Sequence, residues 1–242
     1  MNWKFFIGKT IDAADRQLLR SGISFVHRHY PYGRHWIFDL KRIFPGSPTL
    51  IIDAGANVGS ITNELNYWFS EASIYAFEPI QSTYNQLVKN TKKQENIHPV
   101  NLALGSANER FTISLSSEHT INSMKVALAD HPIGTEEISV VRLDHFLKDK
   151  SNRHVDILKI DVEGFEFEVL DGCGNLEIDV ILLEVGYQRE PAKVYFTEVD
   201  NYMEQKGYQL CGIYELMRNF ADKRTISYSN NLYIRKEMLG KF

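Results

Sequence analysis

The chain has few cysteines, no long apolar run and no excess of positive charge. Cys173 and Cys211 are its only cysteines, and since they lack metal-ligand spacing the sequence predicts neither a zinc site nor a disulfide framework. No run of about eighteen apolar residues occurs, so no membrane span is expected. The formal net charge of -4 argues against general binding of nucleic acid, because phosphate contacts need clustered Lys and Arg. We therefore expect a cytoplasmic protein without a nucleic-acid partner.

Length and composition favour one globular α/β domain. The chain has 242 residues, 43% of them hydrophobic and 24% charged, which is ordinary for such a domain. Short apolar runs alternate with segments of helical spacing, the pattern of a parallel sheet flanked by helices. The predicted core strands are 50–52, 73–77, 100–104, 156–161, 180–185, 208–214 and 231–235.

Two further regions complete the predicted organisation. Residues 1–48 are predicted to form a helical lead-in, which includes a helix over 11–29, and residues 49–242 form the main domain. Segments 109–115 and 136–143 alternate polar and apolar residues like a β-hairpin. They belong to an insertion at about 106–143, whose polar middle is too long for a tight turn.

The most informative segment joins the first strand to a glycine turn and a helix start. The apolar run that begins at Leu50 ends in Asp53, and Gly55 and Gly59 bracket the turn that follows. Glycine permits unusual dihedral angles and lets a ligand approach the backbone closely. Glu78 ends the next strand, where an acidic residue can accept both ribose hydroxyls of a nucleotide. Asp53 and the turn amides suit the ammonium and carboxylate of a methionine moiety, so the pair of motifs points to S-adenosylmethionine.

Two other interpretations of the turn stay open. A dinucleotide enzyme also combines a glycine turn with an acid, but its Gly-x-Gly-x-x-Gly fingerprint differs from Gly-Ala-Asn-Val-Gly-Ser at 55–60. The glycines could also do no more than form a tight turn. The acid that follows at Glu78 favours a nucleotide site over that simpler interpretation.

Three carboxylates follow the fourth and fifth strands. Asp161 ends the predicted strand 156–161, and Glu163 follows two residues later. Glu184 lies in the predicted strand 180–185. Carboxylates at neighbouring strand ends repel one another unless a cation, a proton or a ligand compensates, so the cluster suggests a site. The alternative is structural, with Asp161 capping the next helix and Glu163 as its first-turn acid.

The chain resembles FkbM-type methyltransferases from residue 33 onward. The resemblance rests on the segments 53–59 (Asp-Ala-Gly-Ala-Asn-Val-Gly), 77–79 (Phe-Glu-Pro), 101–105 (Asn-Leu-Ala-Leu-Gly), 158–164 (Leu-Lys-Ile-Asp-Val-Glu-Gly) and 231–236 (Asn-Leu-Tyr-Ile-Arg-Lys). It implies a class I methyltransferase fold, which is Rossmann-like: a mostly parallel seven-stranded sheet with the last strand antiparallel, helices on both faces and a β-hairpin insertion. It also implies O-methylation of a sugar, glycan or natural-product hydroxyl.

The resemblance also assigns cofactor contacts. Glu78 would hold the ribose, Pro79 would lie along the adenosine, and Asp161 would lie near the sulfonium and the acceptor. Ala103 and Leu104, at the end of the predicted third strand, would border the adenine. The residues of the glycine turn that would line the methionine end are Asp53, Gly55, Ala56, Asn57 and Gly59.

Removal of the acceptor proton requires a base or a metal ion. We predict that Asp161, Glu163 and Glu184 form an acidic wall, with His119 or His145 of the insertion as candidate bases. If a divalent cation such as Mg²⁺ takes part, Asp161 and Glu184 are the expected ligands, because hard cations prefer oxygen donors. The polar residues 116–135 of the insertion are expected to contact the acceptor, although a solvated hairpin loop would have the same composition.

Two other function classes stay in view. A methyltransferase acting on a nucleic acid or protein amine would share the cofactor motifs, but amine modifiers of bases usually carry Asn-Pro-Pro-Tyr or Asp-Pro-Pro-Tyr where this chain has Asp-Val-Glu-Gly at 161–164. A noncatalytic protein would bind the cofactor without turnover. The sequence leaves the acceptor and the oligomeric state open.

Overall fold

The computed structural model describes residues 32–115, 134–150, 153–190, 192–219 and 224–240. The predicted helix over 11–29, His119 and most of the polar stretch 116–135 lie outside these residues. No helix in the described part of the chain is long and apolar enough to cross a membrane.

Helices and strands alternate along the described chain, as the apolar pattern predicts. The helices are α1 (Trp36–Ile43), α2 (Ser60–Trp68), α3 (Gln81–Thr91), α4 (Leu143–Phe146), α5 (Glu166–Gly172) and α6 (Phe196–Gln205). The strands are β1 (Leu50–Ala54), β2 (Ser73–Phe77), β3 (Ile97–Val100), β4 (Ala103–Leu104), β5 (Glu109–Leu115), β6 (Gly134–Val141), β7 (Val155–Ile160), β8 (Ile178–Gly186), β9 (Tyr208–Arg218) and β10 (Ile226–Arg235). A short 3₁₀ helix, Lys236–Met238, follows β10.

Seven strands form the main sheet, in the order β3-β2-β1-β7-β8-β10-β9. Neighbours from β3 to β8 pair in parallel, whereas β10 runs antiparallel to both β8 and β9. β10, the last strand along the chain, therefore runs in the direction opposite to the other six strands of this sheet. This sheet, with helices on both faces, is the class I methyltransferase fold predicted from the sequence. The order reverses between β1 and β7, so the carboxyl ends of these strands flank the crevice where open α/β sheets bind ligands.

The insertion forms a second sheet, in the order β4-β6-β5. β5 and β6 pair antiparallel, which confirms the predicted hairpin. The predicted third strand, 100–104, was wrong in its bounds, because Val100 ends β3 whereas Ala103 and Leu104 pair with β6 in the second sheet. Pro99 obscured the strand in the sequence, yet β3 is the edge of the main sheet, where a missing backbone donor is tolerated.

Both faces of the main sheet are covered, which explains the continuous apolar runs of its central strands. Along β1, Ile51 joins a core cluster that contains Leu40 of α1 and Leu65 of α2, while Ile52 joins the opposite cluster with Val199 of α6. Each of these side chains is fully buried, and burial of one such side chain stabilises the fold by about 1.5–3 kcal/mol.

The end of the lead-in is anchored to the far edge of the sheet. Asp39 of α1 is buried, and its Oδ2 accepts hydrogen bonds from Tyr214 Oη of β9 at 2.7 Å and from Gly33 N at 2.6 Å. Trp36 is 2% exposed and belongs to the core.

Candidate active site

The turn after β1 is held against the end of β2. Gly55 N and Ala56 N both donate to Phe77 O, at 3.1 and 2.9 Å. The backbone adopts positive φ at Gly55 (78°), Asn57 (51°) and Gly59 (88°). Asn is among the few residues that tolerate this conformation, so the sequence of the turn matches its shape.

Gly55 is needed for a reason other than the ligand approach that we expected. A Cβ on Gly55 would lie 1.8 Å from Asp161 O, so this glycine lets the β1 turn contact the chain that leaves β7. Asp161 N donates to Ala54 O at 3.0 Å in the same contact. A Cβ on Gly59 would lie 2.8 Å from Leu87 Cδ1, where α2 packs on α3. Both glycines therefore bring together the elements that carry the site.

Glu78 lies at the carboxyl end of β2 and links two loops. Its Oε1 accepts from Ile80 N at 2.9 Å, and its Oε2 accepts from Asn57 N at 3.1 Å. Asn101 Nδ2 donates to Glu78 O and Pro79 O, both at 2.9 Å, and so fixes the loop that carries the acid. Burial raises the pKa of Glu78 to about 7, against the two main-chain hydrogen bonds that lower it. The carboxyl group thus sits beside the glycine turn, as predicted.

A buried lysine that we had not singled out joins the ends of β1 and β7. Lys159 Nζ lies 3.1 Å from Asp161 Oδ2 and 3.6 Å from Asp53 Oδ1. Asp53 is fully buried, and its other oxygen accepts from Thr62 Oγ1 at 2.6 Å. Burial alone would lower the pKa of Lys159, but the two carboxylates raise it to about 12. A lysine inside the apolar run 157–160 was the sequence signal for this compensating cation.

A second lysine, also missed in the sequence, joins the other two acids. Lys193 Nζ is hydrogen-bonded to Glu184 Oε1 and lies 3.8 Å from Glu163 Oε2. It also lies 4.4 Å from the ring centroid of Tyr228. Burial raises the pKa of Glu163 to about 7, and it raises that of Glu184, although Lys193 opposes both shifts. The predicted acidic wall therefore exists, but with a lysine at each end.

The alternative structural role, in which Asp161 caps the next helix and Glu163 lies in its first turn, is wrong. α5 begins at Glu166 with Phe165 as its N-cap, so neither Asp161 nor Glu163 lies in its first turn. Glu163 and Gly164 instead have positive φ, 52° and 96°, in a turn after β7. Glu166 Oε1 accepts from Gly164 N at 3.1 Å and so holds this turn. Glu166 is 2% exposed, and burial raises its pKa to about 7.

Other predicted residues lie farther from the acids. Ala103 and Leu104 are buried in core clusters beside the insertion. His145 Nδ1 lies 2.9 Å from Asn108 Nδ2, and the structure records no contact of His145 with the acidic wall among the described residues. His119 lies outside the described residues.

The acids do not fit the predicted divalent cation. Asp161 and Glu184, its expected ligands, each contact a lysine ammonium group, which would repel a metal ion. Within the described ranges, the cluster with metal-ligand spacing is His154, Asp156 and Asp179. It lies at the amino ends of β7 and β8, whereas the acidic wall lies at their carboxyl ends. Arg235 contacts Asp179 there at 2.8 Å, and Asp156 Oδ2 already accepts from Thr49 and Leu50.

A cleft of about 380 Å³ opens beside the second lysine. Lys193 and Gly164 line it, together with residues of the segment between β8 and α6. The cleft therefore borders the acidic wall through Lys193, which contacts Glu163 and Glu184. Its volume lies at the lower end of the range of small-molecule sites.

Comparisons with known proteins agree with this fold. The model of the methyltransferase FkbM domain matches residues 53–210, which contain the glycine turn and the acids at the ends of β7 and β8. The chain is 29% identical over 180 residues to Methyltransferase 1 of Beauveria bassiana, with 66% of this chain and 72% of the relative covered. It is 24% identical over 145 residues to the hexuronic acid methyltransferase AglP of Haloferax volcanii, covering 59% of this chain and 58% of AglP.

A solved structure with bound S-adenosylhomocysteine is also similar. TrmK of M. capricolum is 14% identical, with a TM-score of 0.46 over 82% of this chain and 68% of that chain. From the family match together with the sheet order and the strand-end acids, the chain belongs to the FkbM methyltransferase family and is an S-adenosylmethionine-dependent methyltransferase.

Proposed function

We propose that the protein transfers the methyl group of S-adenosylmethionine to a hydroxyl group of a sugar, glycan or natural-product acceptor. The observation that carries the proposal is the group of three carboxylates at the ends of β7 and β8, Asp161, Glu163 and Glu184, beside an open cleft. An alcohol is a poor nucleophile until it loses its proton, so its methylation needs a base, and these carboxylates can supply one.

The cofactor residues are proposed from their places at the carboxyl ends of β1 and β2. Asp53 Oδ1 is buried and lies 3.6 Å from Lys159 Nζ, and Glu78 is a buried acid at the neighbouring strand end. Both fit a ligand with cationic and hydroxyl groups. The proposed contacts are Asp53, Gly55, Ala56, Asn57, Gly59, Glu78, Pro79, Ala103, Leu104 and Asp161.

The proposed chemistry is an in-line displacement. S-adenosylmethionine supplies an electrophilic methyl group on a positively charged sulfur. A C–O bond to the acceptor forms as the C–S bond breaks, and the hydroxyl proton passes to a carboxylate of the protein. Alignment of the reactants supplies roughly 7–11 kcal/mol in favourable cases, and a general base adds about 10²- to 10⁴-fold.

Asp161 and Glu163 are the proposed acceptors of the proton. The Asp161 side chain is 41% exposed and lies next to the cofactor turn, so it can reach both reactants. Glu163, with a pKa raised to about 7 by burial, has the basicity that suits a general base at neutral pH. Lys193, between Glu163 and Glu184, keeps the wall from accumulating unbalanced negative charge.

A sugar acceptor has support from one relative. AglP is named for methylation of hexuronic acid, which is itself a polyhydroxylated ring.

The proposed domain organisation is a lead-in at 1–48 and a catalytic domain at 49–242. A cytoplasmic location stays a prediction from the sequence.

The test is product formation with defined acceptors. Purified protein, S-adenosylmethionine and a panel of glycosides or hydroxylated natural products should yield S-adenosylhomocysteine and a methyl ether, identified by mass spectrometry and NMR. Asp161→Asn should abolish turnover and preserve the circular dichroism spectrum. Full activity of this variant, or a product methylated on nitrogen, would contradict the proposal.

A further inference from the structure

We infer that the cleft between α5 and the segment before α6 is the acceptor site, and that its occupant is a neutral, hydroxyl-rich ring such as one glycosyl unit. This inference rests on the proposed function. It adds a second region to residues 116–135 of the insertion, which we expected to contact the acceptor. The residues that define the cleft for this purpose are Gly164, Phe167, Arg189, Lys193, Tyr195 and Glu198.

Position is the first argument. Gly164 follows Glu163 in the turn after β7, and Lys193 contacts both Glu163 and Glu184. A molecule that fills the cleft therefore touches the two residues that border the acidic wall. A hydroxyl held beside Lys193 would be near Glu163, one of the two carboxylates that we propose as bases.

The charges of the cleft are the second argument, because both of its cations already contact a carboxylate and Glu190 adds a further negative charge. Arg189 Nη1 lies 2.8 Å from Glu198 Oε1, and the ammonium group of Lys193 contacts Glu184. A free carboxylate on the acceptor would share each cation with a carboxylate of the protein, Glu198 or Glu184, whose negative charge opposes it. The cleft thus offers an acidic acceptor no net attraction.

Hydroxyl groups fit these pairs without breaking them. A hydroxyl donates to a carboxylate and accepts from a guanidinium, so adjacent hydroxyls on a ring can bind Arg189 and Glu198 together through charge-assisted hydrogen bonds. A flat apolar ring would remove the same charged groups from water and return no hydrogen bond, which is unfavourable. The paired charges therefore select a polyol over an apolar aromatic molecule.

Aromatic side chains supply the apolar part of the site. Arg189 lies over the ring of Tyr195, 4.8 Å from its centroid, which fixes the guanidinium at the cleft. Phe167 packs against Tyr202 at 5.4 Å between centroids and lines the opposite wall. The C–H face of a sugar ring can pack on such surfaces while its hydroxyls reach the charged pair. A volume of about 380 Å³ suits one such ring better than an extended polycyclic molecule.

The test measures binding without turnover. The full chain, saturated with S-adenosylhomocysteine, is titrated with methyl β-D-glucopyranoside, methyl β-D-glucopyranosiduronate and 4-methylumbelliferone, and binding is followed by saturation-transfer NMR. The glucoside should bind more tightly than the uronate, and both more tightly than the phenol. Glu198→Gln should weaken glucoside binding at least fivefold.

Glu204→Gln is the matched control. Glu204 lies on the same helix, α6, and also forms an exposed ion pair, with Lys236 at 3.9 Å, but it does not line the cleft. This variant should bind the glucoside like the wild type. Absence of glucoside binding, tighter binding of the uronate or the phenol, or an unchanged affinity in Glu198→Gln would overturn the inference.

The same samples separate this inference from the proposed function. Calorimetric titration with S-adenosylmethionine reports the cofactor site independently of the cleft. If the cofactor binds and a hydroxyl compound is methylated while none of the sugars binds at the cleft, only the acceptor assignment fails. If the protein transfers no methyl group to oxygen, the proposed function fails.

Discussion

Replacement of Lys159 by Met should destabilise the protein strongly, because it leaves two acids without their shared cation. Lys159 is 6% exposed and lies within 3.6 Å of carboxylate oxygens of Asp53 and Asp161. The rise of its pKa from 10.5 to about 12 corresponds to about 2 kcal/mol of preference for the charged form. Removal of one partner of a buried ion pair typically costs about 3–5 kcal/mol, so we expect a loss in that range.

The sign of the pH dependence follows from the same shift. A lysine whose pKa is raised on folding contributes its full stabilisation below pH 10.5 and loses it only as the pH rises through about 12. The difference between wild type and Lys159→Met should therefore persist at pH 8, where urea denaturation followed by circular dichroism measures it.

An exposed lysine provides the control for this experiment. The Lys148 side chain is 65% exposed, with Asp149 at 3.8 Å, so Lys148→Met should change the free energy of unfolding by less than about 0.5 kcal/mol. If Lys159→Met were as stable as Lys148→Met at pH 8, the argument that this lysine compensates the strand-end acids would be refuted.

Three further substitutions test other parts of the site. Gly55→Ala should prevent normal folding, since the new Cβ would lie 1.8 Å from Asp161 O; thermal denaturation measures the loss. Glu78→Gln should weaken binding of S-adenosylmethionine about tenfold or more by calorimetry, because the variant accepts the ribose hydroxyls less strongly. Glu166→Gln should raise stability at pH 8 by up to about 3 kcal/mol, because the carboxyl group, with its pKa raised by burial to about 7, is charged there; stability of the wild type should fall as pH rises from 4.5 to 7.

The strands that hold the site could be predicted because burial on both faces leaves an uninterrupted apolar run. β1, β7 and β8 are of this kind, and their ends carry Asp53, Asp161 and Glu184. The topology then brings these ends together, since β1 and β8 both pair with β7. The grouping of Asp53, Asp161 and Glu184 was thus predictable from strand order alone, whereas the place of Glu163 depends on the turn after β7.

The compensating cations were harder to predict. Lys193 lies in the segment between β8 and α6, where no apolar periodicity fixes which way a side chain points. Its contact with Glu163 joins positions 30 residues apart in the sequence. Glu163 lies in a turn with positive φ, and Gly164 was the only sign of that turn in the sequence. The close packing at Gly55 was hidden for a similar reason, because its neighbour Asp161 is distant in the sequence.

The balance of charge at the site bears on how the reaction proceeds. Five carboxyl groups and two ammonium groups lie at these strand ends: Asp53, Glu78, Asp161, Glu163 and Glu184, with Lys159 and Lys193. Burial raises the pKa of Glu78 and of Glu163 to about 7, so protons balance part of this excess near neutral pH. A sulfonium cation favours the ionised acids and can replace those protons. Methyl transfer makes the sulfur neutral, which removes that attraction, so we expect the product to be held less tightly than the cofactor.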